Sequence, residues 1–273
     1  MNKGVFNTRP RGRLARFMVA ASARGNYEFA RHRPGRAPFI VLTEFPRSGG
    51  NWIRDMLGDA LQLPVPRFSR LPVTFRAIIH NHDHRVIDGH DIVYVLRDGR
   101  DVFLSHFDKT VTTYLEGSPS VRKRVLGLHP SLALLARGAA RDDVDLSMFY
   151  HEWMTRPLGS WVNCGAHVLP WISTTRAQVT TLRYEDMKTA PEATLARATA
   201  TLSTRPVSRE TIAFAVARNS FEAQTGRKPG EKCLDSTKRQ GLAGAWKTQM
   251  PPDLQARFHS DFGHVLKAAG YES

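Results

Sequence analysis

"FIVLTEFPRSGGNW", residues 39–52, opens as an uninterrupted apolar run and closes in a short Ser/Gly-rich turn that carries Arg47. An apolar run of this length reads as a strand buried on both faces. The stretch that follows, NWIRDMLGDAL (51–61), has helical spacing. A strand, a tight turn with Gly49 and Gly50, and a helix beginning near Asn51 aim several backbone N–H groups at one point, where an anion is stabilised. Arg47 adds a fixed positive charge. The nucleotide-triphosphatase pattern GxxxxGKS/T is absent, so no Lys-Ser/Thr pair is available for a γ-phosphate and Mg²⁺.

Three further apolar runs end in polar clusters. TFRAIIH (74–80) runs into NHDH, DIVYVLR (91–97) into DGRD, and AQVTTLRY (177–184) into EDM. Alternation of such runs with helical stretches predicts an α/β domain with a central, mainly parallel β-sheet flanked by helices. Ligands of these sheets sit at the carboxyl ends of the strands, so the four polar clusters should meet along one rim. No internal repeat or linker divides the chain. The expected organisation is a basic N-terminal leader over 1–36 and one domain over 37–273, with RGAARDD (137–143) as a flexible loop.

The 273 residues carry a formal net charge of +14, with a pI near 10.4. An excess of this size favours an anionic partner: nucleic acid, a membrane surface or a phosphorylated small molecule. Residues 1–36 contain nine Lys/Arg and one acid, Glu28, more than half of the net charge. RLARFMVAASARGNYEFARHR (13–33) reads as a basic amphipathic helix ended by Pro34-Gly35, either a solvated helix or a surface for an acidic acceptor or lipid headgroups. Cys164 and Cys233 stand far apart in no metal-binding spacing, which argues for a reducing, cytoplasmic setting. No apolar run approaches the roughly 20 residues of a membrane span. No zinc-finger, homeodomain or RNA-binding motif supports a nucleic-acid partner.

Two more motifs complete the picture. RDGRDVFLS places Arg97 at a strand end and Ser105 eight residues on, and RQGLAGAWK (239–247) has GxxGxWK spacing behind an arginine. With PRSGGNW in the same order, the chain closely resembles the sulfotransferases of cytosolic and bacterial type that use 3'-phosphoadenosine 5'-phosphosulfate (PAPS) and release PAP. The resemblance spans about residues 38–250 and implies their P-loop-like fold and no metal. It assigns Arg47 to the leaving phosphate, with Ser48, Gly49, Gly50 and Asn51 as surrounding donors. Trp52, Tyr184, Asn219 and Phe221 fall near the adenine. Arg97 and Ser105, with Arg239, Gln240 and Gly241, fall around the 3'-phosphate. The chain departs from the family pattern in having Arg47 and Gln240 for lysines and Ala245 for an aspartate. Trp52, Tyr184 and Phe221 also fit plain core positions.

Sulfuryl transfer needs a base for the acceptor and charge neutralisation at the leaving group. Aligning IIHNHDHR (78–85) with the family's Lys-Thr-His-like segment makes His82 the base and sets His80 in the place of a lysine, with His80 and His84 as alternatives for the base. The same run supports a rival, since three alternate histidines on one strand face suit a metal-dependent hydrolase. A P-loop-type small-molecule kinase is a second rival, opposed by the missing GKS/T. The acceptor pocket should be walled by 53–76, 106–150 and the leader. Its Phe107, Tyr114, Leu115, Leu126 and Leu128 suit a small-molecule phenol, a carbohydrate or a lipid-linked alcohol.

Overall fold

The computed structural model describes residues 12–33, 36, 38–87, 91–157, 160–175, 179–228 and 243–271. In chain order the elements are α1 (Arg13–His32), β1 (Phe39–Glu44), α2 (Gly50–Leu61), β2 (Ala77–Asn81), β3 (Asp91–Leu96), α3 (Gly99–Glu116), α4 (Pro119–Leu128), two 3-10 segments (Pro130–Arg137 and Arg141–Asp143), α5 (Leu146–Thr155), α6 (Cys164–Ile172), β4 (Val179–Arg183), α7 (Tyr184–Thr189), α8 (Pro191–Leu202), α9 (Arg209–Arg218), α10 (Phe221–Thr225), α11 (Trp246–Gln249) and α12 (Pro252–Ala268).

The four strands form one parallel sheet in the order β2-β1-β3-β4. Successive side chains of a strand point to opposite faces, and here they sort into two separate cores. Phe39 and Val41, Ala77 and Ile79, and Ile92, Tyr94 and Leu96 enter the larger core with residues of α3, α5, α6 and α12. Ile40 and Leu42, Ile78, and Val93 and Val95 enter the smaller one with α2, α8 and α9. Helices therefore cover both faces, which is why β1 opens with four apolar residues, Phe39–Leu42, and β3 runs apolar from Ile92 to Leu96. Trp153 anchors the larger core, edge-on to Phe45 and Phe103 and stacked on Phe258. Truncating a ring so buried costs about 3–5 kcal/mol.

Several boundaries differ from the sequence expectation. β2 starts at Ala77, not Thr74, because its partner β1 begins at Phe39, which pairs with Ala77. β4 stops at Arg183, opposite Leu96, and Tyr184 opens α7 instead of ending the strand. Residues 137–143 are not a free loop: Gly138 takes a left-handed turn (φ 85°), and Arg141 donates from Nε to Asp108 at 2.9 Å and covers the Phe107 ring. Phe107 and Tyr114 are buried in the larger core. The helix of the leader forms as expected, and Tyr27 and Ala30 pack into the larger core. Pro34, Gly35, Cys233 and the late-loop residues Arg239, Gln240 and Gly241 lie outside the described residues.

β1 sits between strands reached by opposite crossovers, β2 on one side and β3 on the other. Its carboxyl end next to that of β3 is a topological switch point, where open α/β sheets bind ligands. The residues that follow β1 and β3 carry Arg47 and Arg97.

Candidate active site

The turn after β1 is built on close approaches that only glycine permits. A Cβ on Gly49, which has φ 103°, would stand 2.6 Å from Cδ2 of Tyr184, and a Cβ on Gly50 would stand 2.5 Å from the Glu44 carboxyl carbon. Arg47 also has positive φ, 80°, an uncommon backbone state for a side-chain-bearing residue. The turn is held from below by His106, whose Nε2 donates to the Pro46 carbonyl at 2.9 Å. Burial and the neighbouring Arg47 push the His106 pKa down to about 3.

Not every donor expected of this turn faces outward. The Ser48 hydroxyl and amide both donate to the Phe45 carbonyl, at 2.8 and 3.2 Å, and the Gly50 amide donates to the Glu44 carboxylate. Ser48 and Gly50 thus shape the turn and offer no free donor. The amides of Gly49 and Asn51 have no protein acceptor among the described residues.

Around these amides the switch point gathers the positive groups. Arg47 donates from Nε to Ser105 Oγ at 3.1 Å, and Arg97 donates to the Arg47 carbonyl at 3.2 Å. Ser105 is reached because Asp98 caps α3, accepting from the Arg100 amide at 2.9 Å and so starting the helix two turns before it. Arg97 lies 4.3 Å over the Tyr184 ring, Tyr184 meets Trp52 edge-on at 5.6 Å, and Lys188 faces Trp52 at 5.4 Å. Trp52 Nε1 donates to the Asn219 carbonyl at 2.7 Å. The Asn219 side chain is committed elsewhere, donating to Asp59 and accepting from Gln224. Phe221 opens α10, with Arg227 5.3 Å over its ring. The described end of the late loop docks beside this cluster: Asp101 accepts from the Gly244 and Trp246 amides, at 2.6 and 3.0 Å, and Arg100 covers the Trp246 indole. Sequence reasoning passed over Asp101 and Arg100; their place in RDGRD, within the 3'-phosphate motif, was the available signal.

On the β2 side lies a second cluster. Glu44, 2 % exposed, holds Oε1 3.4 Å from His80 Nε2 while its backbone carbonyl accepts from His82 Nδ1 at 3.3 Å. The His80 and His82 rings meet at 4.8 Å. Burial alone would raise the Glu44 pKa, but His80, His82 and the Gly50 amide hold it below the usual carboxylate range. His82 presents an edge to solvent, yet the protein packed around it, and then His80, lower its pKa below the ordinary imidazole value. The backbone past β2 is clamped: His167 Nε2 donates to the His82 carbonyl at 3.2 Å, and Trp171 Nε1 and Thr43 Oγ1 both donate to the Asp83 carbonyl at 3.2 Å. Glu44, His167 and Trp171 were not found from sequence. A carboxylate inside an apolar strand was the one signal for Glu44.

The three-histidine metal site does not form as expected, because only His80 lies on β2, and His84 turns toward Asp83 at 3.7 Å. Among the described residues Glu44, His80 and His82 have potential ligand atoms within 4.8 Å of one another. Arg54 faces His80 Nδ1 at 3.5 Å. A guanidinium is always a donor, so the neutral ring carries its proton on Nε2, toward Glu44, and offers that cluster no lone pair.

This arrangement sets two arginines and two backbone amides at the β1/β3 switch point of an α/β domain, where the nucleotide-triphosphatase pattern would have a Lys-Ser/Thr pair. The chain belongs to the sulfotransferase family: the family model described as "Sulfotransferase domain" matches residues 90–270. No curated protein matches its sequence. Among solved structures it is similar to a mouse sulfotransferase complexed with PAP, with TM-score 0.63 and 17 % identity over 92 % of this chain and 90 % of that one. It is also similar to retinol dehydratase in a complex with retinol and PAP, with TM-score 0.60 and 16 % identity over 89 % and 86 %. At these identities the likeness carries the fold. It covers more of the chain than the family match, which begins at residue 90.

Proposed function

We propose that the protein transfers a sulfuryl group from PAPS to the hydroxyl of an acceptor and releases PAP, with His82 as the base. The observation that carries this reading is the convergence of Arg47, Arg97, Ser105 and the open amides of Gly49 and Asn51 at one switch point, 3.1–3.2 Å apart where they bond. That donor set suits a nucleotide with two separate anionic groups, and the PAP in the similar sulfotransferase structures agrees with it. PAPS supplies an activated sulfur whose bond to the 5'-phosphate breaks as the acceptor oxygen bonds to it.

The chain's own residues have separable tasks. His82 donates from Nδ1 to the Glu44 carbonyl, so the neutral ring keeps its Nε2 lone pair for the acceptor proton. Its lowered pKa keeps that base form present on the acid side of neutrality. Arg47 and the Gly49 and Asn51 amides neutralise the charge that grows on the leaving phosphate. Glu44 is a positioning residue: its carboxylate faces His80 Nε2 and so fixes the ring that stands beside His82 in the place of the family lysine. Tyr184 and Trp52 border the adenine, and Arg97 and Ser105 the 3'-phosphate.

The test is discrimination by the 3'-phosphate. PAP should raise the melting temperature far more than AMP, and Arg97→Ala should weaken PAP binding on the order of tenfold to a hundredfold, the worth of one charge-assisted contact. Equal shifts from PAP and AMP would sink the assignment. Dialysis against EDTA should leave transfer unchanged, since arginine and backbone donors carry the leaving-group charge; activity lost to EDTA and restored by Zn²⁺ or Mg²⁺ would favour the hydrolase or the kinase.

A further inference from the structure

The outward face of α1 takes no part in the site. Its inward side is fixed: Ser22 Oγ donates to the Leu71 carbonyl at 2.6 Å, Asn26 Oδ1 accepts from the Val73 amide at 2.8 Å, and Tyr27 and Ala30 enter the core. At the spacing i, i+3, i+7 on the opposite side, Leu14, Phe17 and Ala21 face solvent, with Leu14 72 % and Phe17 69 % exposed. Leu71, whose carbonyl takes the Ser22 hydroxyl, adds another large apolar side chain beside the helix, 69 % exposed.

Scattered exposed leucines are ordinary on protein surfaces. Leu14, Phe17 and Ala21 share one helix face, flanked by the exposed Arg13 and Arg24, in a segment with nine Lys/Arg and a single acid. Helix docking onto another protein's apolar groove would not call for the charge. An acidic polypeptide would not call for a leucine and a phenylalanine aimed outward together. An anionic bilayer interface uses both, apolar side chains below the headgroups and cations at the phosphates.

We propose that α1 docks the protein on an anionic lipid bilayer, with Leu14 and Phe17 in the interface and Arg13 and Arg24 at the lipid phosphates. The inward side of the same helix packs beside β2, which carries His80 and leads to His82. A docked chain thus brings its histidines near the membrane, which fits an alcohol carried on a lipid; that step alone rests on the sulfuryl-transfer reading.

Co-sedimentation of the full chain with vesicles tests the docking. It should pellet with vesicles containing phosphatidylglycerol and stay in solution with pure phosphatidylcholine. The double variant Leu14→Ser/Phe17→Ser should bind the anionic vesicles on the order of tenfold more weakly or worse, while its melting shift with PAP matches the parent protein's. Equal behaviour with both vesicle types, or binding unaffected by the double variant, would overturn the proposal and leave the face to a protein partner or to solvent. Absence of any PAP shift in the parent protein would count against the sulfuryl-transfer reading alone.

Discussion

Replacing His82 with alanine is expected to slow turnover by about 10²- to 10⁴-fold, the usual worth of a positioned general base, with PAP binding nearly unchanged. The reason lies in the two-sided layout of the site. His82 and His80 stand past and at the end of β2, joined through Glu44, whereas Arg47, Arg97 and Ser105 bond to one another on the β3 side. Removing the imidazole therefore spares the nucleotide's contacts. Arg47→Ala should differ, damaging PAP binding and the chemical step together, because in the proposed mechanism its charge neutralises the leaving phosphate. Acidic phenols need less help from a base, so the His82→Ala defect should shrink as acceptor pKa falls. In the wild type, turnover should drop only on the acid side of the ordinary imidazole pKa, since His82 is shifted down. Glu44→Gln keeps the acceptor for the Gly50 amide but removes the charge facing His80; a loss on the order of tenfold to a hundredfold is expected. Full activity in His82→Ala with loss in His80→Ala would reverse the two roles.

Acid should unfold the protein through two buried histidines. His106 holds the turn at Pro46 and His167 the backbone at His82; burial first of all pushes their pKa values down to about 3 and about 4. Both stay neutral in the folded chain while the unfolded chain binds protons below about pH 6.5. Their contribution is complete above that value and is lost as pH falls toward 3–4. At 1.36 kcal/mol per unit the pair amounts to roughly 8 kcal/mol, comparable with the whole stability of a domain, about 5–15 kcal/mol. Denaturant midpoints should fall steeply between pH 6.5 and 4. The variants His106→Gln and His167→Gln keep an N–H donor without titrating and should flatten that slope; an unchanged slope in the double variant would refute the account.

What could be read from the linear chain is what rests on local pattern. Four apolar runs imposed four strands and a sheet covered on both faces, because consecutive apolar residues along a strand are tolerated only where both sides are dry. The helix of residues 13–32, the helix start at Gly99 and the turn PRSGGNW followed from spacing and capping chemistry in the same way. Family membership was legible too, since three motifs kept their order and distances.

Tertiary structure decided which of those residues point where. Ser48 and Gly50 carry the right identities for donors, yet their groups close on Phe45 and Glu44, because the turn must satisfy its own buried polar atoms first. Asn219 is committed to Asp59 for the same reason. Glu44, deep in an apolar strand, meets His80 only because β1 and β2 pair in the register Leu42 to His80 and Thr43 to Asn81. His106 and His167 lie 60 and 85 residues from the carbonyls they hold. Local propensity cannot encode such contacts. They exist once packing removes water from both partners and leaves each no other group to bond.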